Sequence, residues 1–202
     1  MSNNLFFDSF REVFKDANFF ELVCFKIENN PDPVIKQMIE DEISRRRIQQ
    51  SRVDIFSDIL KKFSTKEDAF KSMNASLTKR FFAAIIDLTI AIVLFTLSNY
   101  ILELMNIVHS YIPVFLLLGY FSVKDFICNG QSFGKRALGL VVVNFKNGLT
   151  CDLAHSIFRN SLYLAAPYGF YAFITAKDDK YRQSLIDKLT GTFVMNKDFL
   201  VT

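Results

Sequence analysis

Charged and apolar positions alternate at helical spacing through the first seventy-five residues, and long apolar runs follow. Phe6, Phe7, Phe10, Val13 and Phe14 recur three and four apart, with Arg11, Glu12 and Lys15 between them. Asn29-Asn30-Pro31-Asp32-Pro33 breaks that pattern. A helix is predicted after the break, through Ile35, Met38, Ile39, Glu42 and Ile43. A further stripe follows at Val53, Ile55, Phe56, Ile59, Leu60 and Phe63. Acid and base alternate from Glu40-Asp41-Glu42 to Arg45-Arg46-Arg47, as on solvated helix faces. Residues 1–75 therefore read as a cytoplasmic, mostly helical arm. A partner-docking or membrane-surface role is its functional alternative.

Residues 76–202 read as a membrane domain. A first span is expected from about Phe81 to Leu102, since ~20 apolar residues cross a ~30 Å hydrocarbon core. At ~100° per residue, Arg80, Ala83, Ala84, Asp87, Ala91, Leu94 and Ser98 share one small and polar face. That face belongs against protein rather than lipid. A second span is expected over about 107–123, with Pro113 near its start. Gly119 and Ser122 would form a contact strip, and Lys124 and Asp125 would close the span at the interface. A third apolar segment, about 160–176, is interrupted by Pro167 and Gly169 and followed by Lys177, Lys180, Arg182 and Lys188. It is either a re-entrant pair or a kinked span. Lysine and arginine flank the first two spans on one side only, which puts the N-terminus in the cytoplasm. Short strands are predicted in Leu138–Phe145 and Gly191–Asn196, paired at the cytoplasmic surface, with Thr150 capping a helix between them. The expected class is a polytopic all-α membrane protein: two transmembrane helices, a third broken or re-entrant segment, and a small cytoplasmic β element.

Composition narrows the function classes. Half of the 202 residues are hydrophobic, and the net charge of +3 comes without a basic stripe interleaved with aromatics, so nucleic acid is not an expected partner. Cys24, Cys128 and Cys151 are odd in number and widely spaced, and the two histidines, His109 and His155, stand far apart. No metal site, cofactor or nucleophile–base pair is expected, and so no enzyme. Gly130 to Lys135 is one residue short of a phosphate loop and carries Arg136 where magnesium would need a hydroxyl. A tight turn accounts for it better. Tryptophan is absent, which leaves Tyr100, Tyr111, Tyr120 and Tyr163 as interfacial anchors.

The candidate chemistry lies in charges placed inside apolar runs, where an unpaired carboxylate costs at least ~2.5 kcal/mol. Arg80 opens the first span, Asp87 lies two turns inside it, and Asp187 follows in Leu185-Ile186-Asp187-Lys188-Leu189-Thr190-Gly191-Thr192. This order resembles the RDD family of membrane proteins, named for an arginine, an aspartate in the first helix and a late aspartate. Gly130-Gln131-Ser132-Phe133-Gly134-Lys135-Arg136 resembles that family's central glycine–lysine loop, and Arg159 falls where an arginine often precedes its last apolar segment. The resemblance covers roughly residues 75–197. It implies an inner-membrane, multi-pass protein, with ion or small-ligand transport suggested and cation/proton exchange attributed to some members. Arg80, Asp87 and Asp187 then have two readings. They are a staple between the first helix and a soluble lobe, or Asp87 is a protonatable cation site with the other two at its mouth. Arg159, Lys135 and Ser98 are supporting candidates. The expected function is a small transporter or transport accessory. The alternative is a non-transporting scaffold or assembly factor whose N-terminal arm docks a partner. Expected partners are the lipid bilayer, further copies of the chain or another membrane protein, and a monovalent cation or proton.

Overall fold

Short amphipathic helices and then one long apolar helix organise the chain in the computed structural model, which describes residues 2–28, 32–63, 65–107, 111–165 and 183–199. Contacts group the chain into two units. One comprises Met1–Met73, Asn144–Leu149 and Asp198–Thr202, and the other Asn74–Val143 and Thr150–Lys197.

The first unit carries α1 (Ser2–Asp16), α2 (Phe19–Glu28), α3 (Pro33–Arg45), α4 (Gln50–Lys62) and α5 (Lys66–Met73). Two helix starts are written in local sequence. The Asn18 side chain accepts from the Glu21 N–H and the Glu21 carboxylate from the Asn18 N–H, both at 2.9 Å, a reciprocal capping box. Asp32 accepts from the Val34 N–H at 2.9 Å, and Pro33 occupies the first helical position, where its missing N–H costs nothing. The core is aromatic. Phe19 and Phe20 meet Phe56 edge to face at 4.8 and 5.0 Å, and Phe70 and Phe145 lie 5.3 and 5.6 Å from Phe20. Phe14 is buried, but Val13 from the same predicted stripe turns outward. Arg46 ties this unit together. It donates to Glu42 at 2.6 Å and to the carbonyls of Phe14, Lys15, Ala17 and Lys146.

The second unit carries α6 (Leu77–Leu104), α7 (Ile112–Ile127), α8 (Phe133–Ala137), β1 (Leu140–Asn144), α9 (Leu153–Ala165), α10 (Leu185–Leu189) and β2 (Thr192–Asn196). Ser76 caps α6 by accepting from the Lys79 N–H at 3.2 Å. The strands pair with each other, as their predicted instability in isolation requires. Asn74 bridges to Met195, and the Lys197 N–H donates to the Gly139 carbonyl at 2.7 Å. Leu140, Val142, Val194, Cys151, Ala75 and Ala83 close the core under this sheet.

The 28-residue α6 is, among the described residues, the one helix long and apolar enough to cross a bilayer. It buries Arg80, Ala83, Asp87 and Ala91 while Phe81, Phe82, Ile85, Leu88, Ile92 and Val93 stay exposed. Polar inside and apolar outside is the reverse of a helix in water, and an exposed face of this kind needs lipid or a partner. The second expected span is displaced along the chain. α7 runs from Ile112 to Ile127 rather than over about 107–123, so Lys124 and Asp125 fall inside it, and its 16 residues extend ~24 Å at ~1.5 Å each. Residues 108–110, with His109, and the third apolar segment beyond Ala165 lie outside the described residues.

Two local expectations are corrected. Asp152, not Thr150, caps α9, accepting from the His155 N–H at 2.8 Å, because Thr150 is held in a bridge to Val143. Gly119 makes no close helix contact, since a Cβ there would meet nothing within 4 Å. Tyr163, expected as an interfacial anchor, has its hydroxyl 3.3 Å from the Ser184 hydroxyl.

Candidate functional site

Arg80 stands one turn into α6, and its guanidinium reaches three separate segments. It donates to Asp187 at 3.1 Å, to the Val194 carbonyl at 3.0 Å, and to the Asn74 side chain. Asp187 is prepared for it by a capping box. Ser184 and Asp187 each accept the other's backbone N–H at 3.1 Å, which fixes the carboxylate at the start of α10. The opposite oxygen of Asp187 accepts from Arg159 at 2.6 Å. One carboxylate thus holds two arginines, and all three side chains are buried.

Asp87 is not part of that triad. Its Oδ1 accepts the Gly134 N–H at 2.7 Å, and its Oδ2 lies 3.8 Å from the Lys124 ammonium. The approach of α8 to α6 explains the glycine. A Cβ on Gly134 would fall 2.1 Å from the Ala83 carbonyl oxygen, an impossible contact. The central loop therefore does need a small residue, and the reason is backbone-to-backbone packing rather than phosphate.

A third carboxylate joins the set. Asp125, expected to close the second span, is fully buried. It accepts from Lys135, lies 3.4 Å from the Asn160 amide and 4.0 Å from the Arg159 Nε. Lys124, expected to reach outward, points to Asp87 and stacks 4.9 Å over the Phe121 ring. A signal existed. Gly119, Ser122 and Asp125 recur every third residue, so an acid extended the strip of small residues already visible on α7.

Of the sequence candidates, the fold gathers Arg80, Asp87, Asp187, Arg159 and Lys135. Ser98 is not among them. Its hydroxyl donates to the Phe95 carbonyl of its own helix, eleven residues and ~16 Å up the axis from Asp87. Arg159 meets Asp187 and Asp125 rather than Asp87. The result is four cations (Arg80, Lys124, Lys135, Arg159) interleaved with three carboxylates (Asp87, Asp125, Asp187). Burial pushes the Lys135 ammonium down to about 8 against the pull of Asp125. No group of histidine, cysteine, aspartate and glutamate that could hold a metal ion occurs among the described residues.

A long helix with an apolar exterior and a buried ion network at one end defines a mostly helical, membrane-associated protein. The sequence model of the RDD family matches residues 74–191, more than half of the chain, and the chain belongs to that family. No curated protein and no solved structure matches it.

Proposed function

We propose that this protein is a small, non-enzymatic membrane scaffold or assembly factor. Its buried charges fasten a polar lobe to the end of a membrane helix. The observation that carries this reading is the double grip of Arg80 and Arg159 on Asp187. A transport site must exchange its partners, whereas Asp187 and Asp125 are enclosed by cations and hydrogen-bond donors fixed on four different segments. Buried pairs of this kind cost about 3–5 kcal/mol when one member is removed, which suits a staple.

The wider placement follows the charge pattern. The protein is multi-pass in an inner membrane, with its N-terminus and β element in the cytoplasm. The contact between Tyr163, near the start of the third apolar segment, and Ser184, just beyond it, supports a re-entrant course. The exposed apolar faces of α6 and α7 favour lipid and further copies of the chain as neighbours, and the N-terminal helices would dock a partner protein.

Proton or monovalent-cation exchange is the second reading, and one observation favours it. The Lys124 ammonium is 3.8 Å from Asp87, beyond hydrogen-bond reach and so displaceable. Proton-gradient-driven Na⁺ and K⁺ flux in proteoliposomes separates the two. The scaffold reading expects no flux above empty vesicles from folded wild-type protein. Flux that disappears in a folded Asp87→Asn variant would replace it with exchange.

A further inference from the structure

A cavity of about 200 Å³ lies between α6, α7 and α9, beside the ion network. Its walls are electrostatically unbalanced. Arg80, Lys124, Lys135 and Arg159 line it, and Asp87 is the one carboxylate among the described lining residues. Asp125 and Asp187, which hold three of these cations, are not among its lining residues.

Arg159 makes the imbalance specific. Its side chain is 3% exposed, and one terminal nitrogen is spent on Asp187 at 2.6 Å. Its Nε and Nη1 are buried with no hydrogen-bond partner among the described residues. The Asp125 oxygen at 4.0 Å from Nε is too distant to accept. A buried guanidinium with idle N–H groups is costly, and each of these two groups, on different edges of the guanidinium, can donate to one phosphate or carboxylate oxygen. Lys124 and Lys135 line the same space. An anion there would also return Lys135, held near 8 by burial, toward its ordinary charge.

The remaining wall is apolar. Ala84 and Leu164 line the cavity and are exposed at its rim. Ala84 lies three residues after Phe81 and four before Leu88, on one face of α6, and both of those are exposed. A chain attached to the anion would leave along that apolar strip. The volume is below the ~300–1,000 Å³ of sites that enclose a drug-sized molecule, so it suits a headgroup with its tail outside.

We propose that this cavity binds a phosphate-ester oxyanion, gripped by Arg159 with Lys124 and Lys135. The ester is the headgroup of an acidic phospholipid or a free phosphate monoester. The site is compatible with the scaffold role and does not depend on it. Only the lipid source rests on the membrane placement.

The test uses the full chain, purified in detergent and stripped of lipid in phosphate-free buffer. Retention of phosphatidylglycerol against phosphatidylcholine is read by native mass spectrometry, and the melting shift by glycerol 3-phosphate is read alongside. Ala84→Phe fills the mouth and leaves every charge in place, and Lys124→Gln removes one donor. Phosphatidylglycerol preferred about tenfold by wild type, with the preference lost in both variants, supports the lipid source. A melting shift by glycerol 3-phosphate that both variants lose, without lipid preference, supports the free ester. Neither ligand binding wild type overturns the proposal, as does binding that both folded variants retain. Ion flux through the wild-type protein would overturn the scaffold reading and leave this result untouched.

Discussion

Arg80 and Asp187 are 107 residues apart in sequence and 3.1 Å apart in the fold. The pair joins the start of α6 to the start of α10. Because Asp187 also holds Arg159, the two ends of the pair are not equivalent.

That asymmetry sets an order of stability. Asp187→Asn strands two buried arginines and should destabilise the second unit by about 3–5 kcal/mol. Arg80→Gln leaves Asp187 on Arg159 and should cost less. The double variant should lose less than the sum, since both changes remove one shared interaction. Thermal unfolding in detergent gives the order, and equal losses would contradict the shared grip.

Gly134 and Gly119 should respond oppositely to alanine. At Gly134 the new methyl collides with the Ala83 carbonyl, so α8 must move off Asp87, at a cost of about 1–3 kcal/mol or more. At Gly119 the space is open, and the same change should be near neutral. Melting of the two single variants compares them directly.

Ser98→Ala should leave stability within about 0.5 kcal/mol of wild type, because the hydroxyl serves only its own helix. Asp87→Asn should cost more, since it weakens the Gly134 and Lys124 contacts together. Matching losses would mean that the Asp87 contacts contribute little.

Acid should loosen the first unit through Glu42. Burial raises its carboxyl, but Arg45 and Arg46 outweigh burial and hold it below its ordinary value of 4.5. Unfolded Glu42 therefore takes up a proton first as pH falls. Its stabilisation is full above pH 4.5 and is lost as pH drops through the folded value. Hydrogen exchange in α3, corrected for intrinsic rates, should show protection falling below that pH in wild type and less so in Glu42→Gln.

Thiol labelling should discriminate the cysteines. Cys151 lies under β1, and burial pushes its thiol up to about 12, so almost none is thiolate at pH 8. Cys24 is buried as well, whereas Cys128 is partly exposed. Iodoacetamide should modify Cys128 first. Early modification of Cys151 would mean that the sheet does not cover it.

Much of this organisation is local and therefore legible in the chain. The apolar run after Lys79, the burial of Arg80, Ala83, Asp87 and Ala91 from the predicted face (whose Ala84 and Leu94 are exposed), and the two strands are consequences of side-chain spacing. The caps at Asp32 and Ser76 are local too, acting within three residues, although no expectation named them. The bounds of α7 were not legible, because an apolar run does not say where its hydrogen-bonded turns begin and end. Thr150 misled as a cap because a partner elsewhere, Val143, claimed its backbone.

The sequence by itself determined that Arg80, Asp87 and Asp187 had to be satisfied within protein, since lipid offers a charge no partner. Only the tertiary structure decided which partners they took. Asp87 went to a glycine N–H, Arg159 went to Asp187, and Asp125, which ends an apolar helix in sequence, became the buried centre of the network. Such choices depend on distances of a few ångströms between helices far apart in the chain. They are set by how closely backbones pack, as Gly134 permits against Ala83, and no periodicity encodes that.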